Sequence, residues 1–297
     1  MNFTIFHKSG QAGEGISSPV FPKPDQASQK NSETSSRPRL RLWAALFWLM
    51  VWQLASQALG QEILLVSPIS VLVRLTSLVR TLPFWEAIGF SLSRISVGFL
   101  SAAFIGVLLA ALSARFRLVK ELLSPFILTI KAIPVASFII LALIWIPSKN
   151  LSVFISFLMV FPVIYTNVLD GILSTSQELL EMAQVFALPP GRTIRYIYVS
   201  QVLPFFQSAC TIGLGLCWKS GIAAEVIGIP DGSIGESLYN AKIFLNTPDL
   251  FAWTLVIVIV SLTFETFFLK LLDMGVKRLE LSLIPISEPT RLRCISY

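Results

Sequence analysis

The sequence predicts an all-α integral membrane protein with six transmembrane helices and an amphipathic helix-turn-helix between the fourth and fifth. Three observations predict it. Of 297 residues, 54% are hydrophobic and 13% charged, where soluble domains carry about 25% charged residues. Apolar runs recur along the chain at close to the roughly 20 residues that cross a bilayer. The Lys and Arg residues gather mostly at the ends of these runs and form no single face, so the formal charge of +6 is a membrane-orientation signal and does not describe a nucleic-acid surface.

Residues 1–41 are rich in Ser, Gln, Gly, Lys and Pro with almost no aliphatic periodicity, which predicts a disordered tail. His7 stands alone there and reads as a solvated side chain. Arg37, Arg39 and Arg41 precede the apolar run Leu42 to Leu59. Ala58-Leu59-Gly60 resembles a small-x-small cleavage site, so a signal peptide is the alternative to a retained first span. The retained helix is preferred, because the run approaches spanning length and a multi-span chain follows. Residues 61–85, with Pro68, Pro83 and the half-apolar VSPISVLVRLTSLV, predict a short amphipathic helix at the outer surface.

The second span, about Ala87 to Ala114, carries Gly89, Gly98 and Gly106, spaced for close helix approach. The third, about Leu122 to Ile146, contains Pro125 and Pro134. Pro147 to Asn150 is a tight turn, and the fourth span, Leu151 to Leu169, contains Pro162. The fifth, about Phe205 to Ile229, is unusually polar and small. Residues 230–249 form a loop with a short helical piece, SIGESLYNAKIFL, before the sixth span, Leu250 to Leu272. Cys210, Cys217 and Cys294 offer no metal or disulfide framework; the first two share a helix face as small apolar fillers. LSLIPISEPTR, Leu281 to Arg291, resembles the translation of a transposase sequencing adapter, so residues 281–297 are expected to be a non-native or disordered tail.

Six spans place both termini on one side. With the N-terminus inside, the inner segments hold the arginines before span one, Arg115, Arg117, Lys120, Arg192, Arg195, Lys277 and Arg278. The outer ones keep Arg74, Arg80, Lys149 and Lys242. The positive-inside rule therefore predicts cytoplasmic termini and a cytoplasmic segment at 175–204.

That segment is ELLEMAQVFALPPGRTIRYIYVSQVLP, Glu178 to Pro204. Thr175-Ser176-Gln177-Glu178 fits a capping box, so a helix is expected to start near Ser176. Leu179, Met182, Ala183 and Phe186 recur at three- and four-residue spacing and line one face, with Glu178, Glu181 and Gln184 around it. Pro189-Pro190 must break the helix, and a second helical piece, Arg192 to Val202, leads to the next span.

The segment resembles the signature loop of binding-protein-dependent ABC importer permeases, E-A-A, three residues, G, nine residues, I-x-L-P. The pattern falls on Glu181, Met182, Ala183, Ala187, Ile197, Val199 and Ser200. Met182 replaces an alanine, Ala187 the glycine, and Val199-Ser200 the Leu-Pro pair; Pro189-Pro190-Gly191 is expected to supply the reversal that the glycine would give. Downstream, LGLCWKSGIAAEVIGIPDGSIGESLYNAKIFLNTPDLFAWTLVIVIVSLTFE, and upstream VSPISVL and IKAIPVASF, are similar to the nitrate, sulfonate and taurine branch of that family. The similarity runs from about Leu42 to Lys270.

The resemblance implies the type I importer permease (MetI-like) fold in a bacterial inner membrane, with the loop as a coupling helix seated on a separate ATPase. The docking residues it implies are Glu178, Glu181, Met182, Ala183, Phe186, Ala187, Gly191 and Ile197. It also implies a permease homodimer embedded in lipid, an extracytoplasmic substrate-binding protein, and a small anionic solute such as a sulfonate, taurine, nitrate or bicarbonate.

GLGLCWKS, Gly213 to Ser220, is a P-loop decoy, with Trp218 where the glycine before the lysine belongs and an apolar span where a strand should precede. This chain is therefore expected to hydrolyse no ATP and to hold no cofactor, leaving ATP and Mg to the partner ATPase. Arg94, Lys131, Lys219 and Glu225 lie at or within predicted spans, where a charge costs about 2.5–3.5 kcal/mol on insertion scales. Lys131, Lys219 and Glu225 are candidates for the translocation pathway; the alternative is that they pair, cap helix ends or reach an interface. Lys219 and Glu225 lie about 120° apart on an ideal helix, which disfavours pairing within it. A stand-alone secondary transporter or channel using these charges is the rival function. Neither inverted repeats nor a convergent constellation for a membrane-embedded enzyme is evident in the sequence.

Overall fold

A computed structural model describes residues 42–60 and 65–283 of the chain. The disorder expected for 1–41 and most of the tail expected at 281–297 lie outside the described residues. The chain divides into two compact units, residues 1–48 and 49–297. Of the first, the described part opens helix α1, Leu42–Leu59, where Trp43, Leu46, Phe47 and Trp48 are exposed.

The second unit is all-helical. It comprises the rest of α1, then α2 (Pro68–Val79), α3 (Leu82–Arg115), α4 (Arg117–Ala132), α5 (Val135–Ala142), α6 (Ser148–Leu173), α7 (Gln177–Val185) and α8 (Pro190–Thr193). A π-helical turn (Ile194–Tyr198) leads into α9 (Val199–Gly228), followed by α10 (Ile234–Ile243) and α11 (Thr247–Leu283). Among the described residues four helices are long and apolar enough to cross a membrane: α3, α6, the continuous stretch 190–228, and α11. The pair α4 and α5 makes a fifth if taken together, and α1 has 18 residues.

The centre is α6, packed between α3 and α9. Glycines let these helices touch. A Cβ on Gly98 would stand 2.5 Å from the Val153 carbonyl oxygen and 2.8 Å from Ser156 Cβ. One on Gly106 would stand 2.9 Å from Ile164 Cγ2, and one on Gly221 2.7 Å from both Ile95 Cγ1 and Ser156 Oγ. Gly89, expected in the same role, has no neighbour within 4 Å. Around these contacts Ile95, Phe99, Val160, Ile164 and Leu214 are completely buried. Some polar side chains inside the bundle bridge the helices: Ser156 Oγ donates to the Cys217 carbonyl at 3.2 Å and Tyr165 Oη to Ser113 Oγ at 3.0 Å, while Trp218 Nε1 is buried without a partner among the described residues. Cys210 and Cys217 are buried thiols on α9.

Several boundaries differ from expectation: α6 begins at Ser148, inside the turn expected at Pro147 to Asn150, and α11 runs to Leu283, past Leu272. The third span is broken: α4 and α5 meet at 106°. Pro134 has no N–H for the ladder, and Ile133 before it is extended, at φ −79° and ψ 131°, as the clash with a following proline ring demands. The fifth span starts earlier than Phe205, because the helix runs unbroken through Pro204.

Outside the three-helix centre, α2 is N-capped by Ser67, whose side chain accepts from the Ser70 N–H at 3.2 Å. It is tied to α11 by the Arg74–Asp249 salt bridge, in which Arg74 Nη2 donates to Asp249 Oδ2 at 2.9 Å. Trp52 Nε1, midway along α1, donates to the Val66 carbonyl just before α2 at 3.1 Å.

Candidate functional site: the loop before α9 and the charges of the spans

α7 starts where the sequence predicts, with Ser176 at the N-cap, but the capping-box bond is absent. Thr175 Oγ1 donates to the Gly171 carbonyl at 3.3 Å, so the α6 end and the α7 start are joined through the preceding threonine. Leu179, Met182, Ala183 and Phe186 divide between two faces. Ala183 is buried and Leu179 half-buried, whereas Met182 and Phe186 point outward, Phe186 at 71% exposure. Val185, which the spacing argument missed, is 83% exposed beside them. Glu178 and Glu181 are exposed on the same helix. Among the described residues nothing covers this apolar edge on a short acidic helix.

The helix is terminated at Ala187, which sits in the left-handed region at φ 50°. The Leu188 N–H bonds back to the Ala183 carbonyl at 2.9 Å and the Ala187 N–H to that of Gln184 at 3.0 Å, the two bonds of a Schellman cap. The reversal expected at Pro189-Pro190-Gly191 therefore occurs earlier, at the position where the signature pattern has glycine. Gly191 lies inside α8, is not among the glycines with positive φ, and has open space around its Cα. The prolines act next: Pro189 is extended and Pro190 occupies the first turn of α8. Ile197 is buried at 6% exposure within the π-helical turn, which feeds directly into α9.

The candidate pathway charges are not brought together. Glu225 is fully buried. Its Oε2 accepts from Ser91 Oγ at 2.6 Å and from the Gly235 N–H at 3.4 Å. Ser91 Oγ in turn accepts from the Ile234 N–H at 3.1 Å. Glu225 thus fastens the start of α10 to α3 and α9. Gly235 lies against the Glu225 side chain and backbone, so closely that no Cβ fits. Ser91, Gly235 and Ile234 escaped sequence reasoning, which carried no signal for a partner as far along the chain as Ser91 is from Glu225.

Lys131 is exposed at the end of α4, and Lys219 is exposed on α9. Along α9, Pro204, Ser208, Thr211 and Lys219 are exposed and Gly215 half-buried, with Ile212 and Leu216 beside them. This line of small and polar side chains recurs every three to four residues, so it is one helix face. Arg94 is used structurally: its guanidinium donates to the Lys149 carbonyl and to Asn150 Oδ1, the latter at 3.0 Å, and lies 4.3 Å over the Phe90 ring. Among the described residues no group of His, Cys, Asp and Glu is placed to hold a metal.

Residues 102–280 match the model of the binding-protein-dependent transport system inner membrane component family. The taurine transport system permease protein TauC of Escherichia coli is 25% identical over 240 residues, covering 79% of this chain and 84% of TauC. The nitrate import permease protein NrtB of Synechococcus elongatus is 26% identical over 205 residues, 65% of this chain and 73% of its own. The putative aliphatic sulfonates transport permease protein SsuC of Bacillus subtilis is 23% identical over 239 residues, 80% and 83% of the two chains. With its family match spanning more than half its length, its apolar spans and its interrupted helix before α9, the chain belongs to the inner-membrane permease components of binding-protein-dependent ABC importers.

Proposed function

We propose that this permease subunit carries a small oxyanion such as a sulfonate, taurine, nitrate or bicarbonate, as a homodimer coupled through α7 to a separate ATPase. ATP and Mg belong to that ATPase, and the solute arrives from an extracytoplasmic binding protein. The chain crosses the membrane six times, with α1 as the first crossing and the bent α4–α5 pair as the third. Both termini and α7 are cytoplasmic, in keeping with the inner arginines and lysines. The observation that carries the docking role is the outward apolar edge of Met182, Val185 and Phe186 next to Glu178 and Glu181. Large apolar groups at the centre of a patch with charges at its rim are the anatomy of a protein interface.

The line Ser208, Thr211, Gly215 and Lys219 supports a pathway or subunit interface along α9, because polar side chains at membrane depth face protein or water. Lys219 would then offer an ammonium to the passing anion. The relatives named for taurine, nitrate and sulfonates support the solute class.

The test of docking is Glu181→Lys in the reconstituted complex. ATPase association is expected to fall and transport to be lost while the spans remain folded by circular dichroism. Full ATPase binding with normal transport in Glu181→Lys removes the docking role.

A further inference from the structure

Behind α7 lies a cavity of about 760 Å³, within the roughly 300–1,000 Å³ typical of small-molecule sites. Its apolar walls come from four elements, with Val107 and Ala111 on α3, Ile172 on α6, Leu180 on α7 and Phe206 on α9. Its polar lining groups are Arg115 at the end of α3, Thr175 between α6 and α7, Gln177 at the start of α7 and Tyr198 of the π-helical turn. Val107, Ala111 and Arg115 follow one another along one face of α3 over about 12 Å of helix rise, apolar first and cationic last. Ala111 is exposed and Val107 is 38% exposed, so the cavity is open along the flank of a spanning helix.

Arg115 ends that span and is exposed. Among the described residues no carboxylate lies within salt-bridge distance of it; its guanidinium carbon sits 5.5 Å over the Phe116 ring. Its neighbour Arg117 is paired with Glu121 at 2.8 Å. An unpaired guanidinium at the end of an apolar slot on a spanning helix suits an acyl chain carrying an anionic phosphate.

We propose that this cavity holds one acyl chain of an anionic phospholipid, with its phosphate on Arg115, taken from the leaflet on the side that carries α7. A planar guanidinium binds phosphate through two parallel N–H bonds, and basic pockets between spans select anionic head groups. The chain enters sideways past Ala111 and Val107, a route open to a bilayer lipid. The lipid also lies against Leu180 of α7 and Ile194 and Tyr198 of the π-helical turn, so it bears on the loop.

The experiment is native mass spectrometry of the full chain released from nanodiscs of mixed phosphatidylcholine and phosphatidylglycerol. One phosphatidylglycerol per chain is expected to survive release. Arg115→Gln should weaken that retention about tenfold, the loss of one charge-assisted contact, and leave phosphatidylcholine unchanged. Ala111→Trp should block it by filling the slot, and Arg117→Gln, outside the cavity, should leave it intact. Arg115→Gln changes an exposed side chain and keeps the test open should Ala111→Trp fail to fold.

Equal retention of phosphatidylglycerol by wild type, Arg115→Gln and Ala111→Trp overturns the site, as does equal retention of the two lipids by wild type. Displacement by free oleate below the phosphatidylglycerol concentration overturns the assignment to a bilayer lipid. Retention is measured on the isolated chain and docking on the assembled complex, so either proposal can fail without the other.

Discussion

Ala187 holds a left-handed backbone with a methyl group attached, a geometry that costs an L-residue on the order of 1–2 kcal/mol. Glycine removes that cost but brings more backbone entropy to the unfolded chain, about 0.4–1 kcal/mol. Ala187→Gly should therefore stabilise the loop by about 0.5–1 kcal/mol, and β-branched Ala187→Val should lower the midpoint of unfolding in detergent instead. The spacing pattern identified the position; it did not reveal that alanine there would adopt the conformation of the glycine it replaces, and the reversal was expected at Pro189-Pro190-Gly191. Glu225 gives the reverse lesson. Its charge at membrane depth was legible, but its partner Ser91 is 134 positions away, a distance no local pattern reports. Glu225→Ala leaves the Ser91 hydroxyl and the Gly235 N–H without their acceptor, so thermal unfolding should show a loss of roughly 2–4 kcal/mol. Glu225→Gln, which keeps an acceptor, should cost less.

Among the elements, α3 and α6 meet across Gly98 and Gly106, where no side chain fits without displacing backbone or a branched residue. Gly98→Leu should separate the helices and reduce the yield of folded, monodisperse protein, a strain of about 1–3 kcal/mol or more. Gly89→Leu, facing open space, should be tolerated in the same assay. Span existence was legible from apolar runs, because burial in lipid and burial in protein ask for the same residues. Span shape was less legible. Pro125, Pro162 and Pro204 all sit inside continuous helices, whereas Pro134 breaks one. The residue before the break is β-branched Ile133, while Ser124, Phe161 and Leu203 precede the others. Branching adds to the pre-proline clash that drives a residue out of the helical region. The π-helical turn at Ile194–Tyr198 had no sequence signal.

At the scale of the whole molecule, exposure does not say what covers a surface. Phe104 at 72% and Ser208 are both exposed on spanning helices, and only the second has a chemistry that lipid rejects. That contrast makes the Lys219 face the one to test for passage. Lys219→Ala should abolish uptake in proteoliposomes while complex assembly and basal ATPase activity persist, and normal uptake would remove Lys219 from the pathway. The bend between α4 and α5 has a further consequence, for how the chain enters the membrane. A segment turning through 106° gives the insertion machinery no straight run of about 20 apolar residues, and the prolyl break leaves carbonyls without donors, which lipid cannot satisfy. α4 packs against α3 before it, and Ile127 joins the core that α3, α6 and α9 share, but the contacts of α5 come later in the chain: Ile139 and Ala142 pack with Leu151, Ile155 and Ala224. The α4–α5 pair therefore gains the packing of its second half only after α6 and α9 have emerged. Glycosylation mapping of chains truncated after Leu173 should find α4–α5 incompletely inserted, and the full chain should hold it in place.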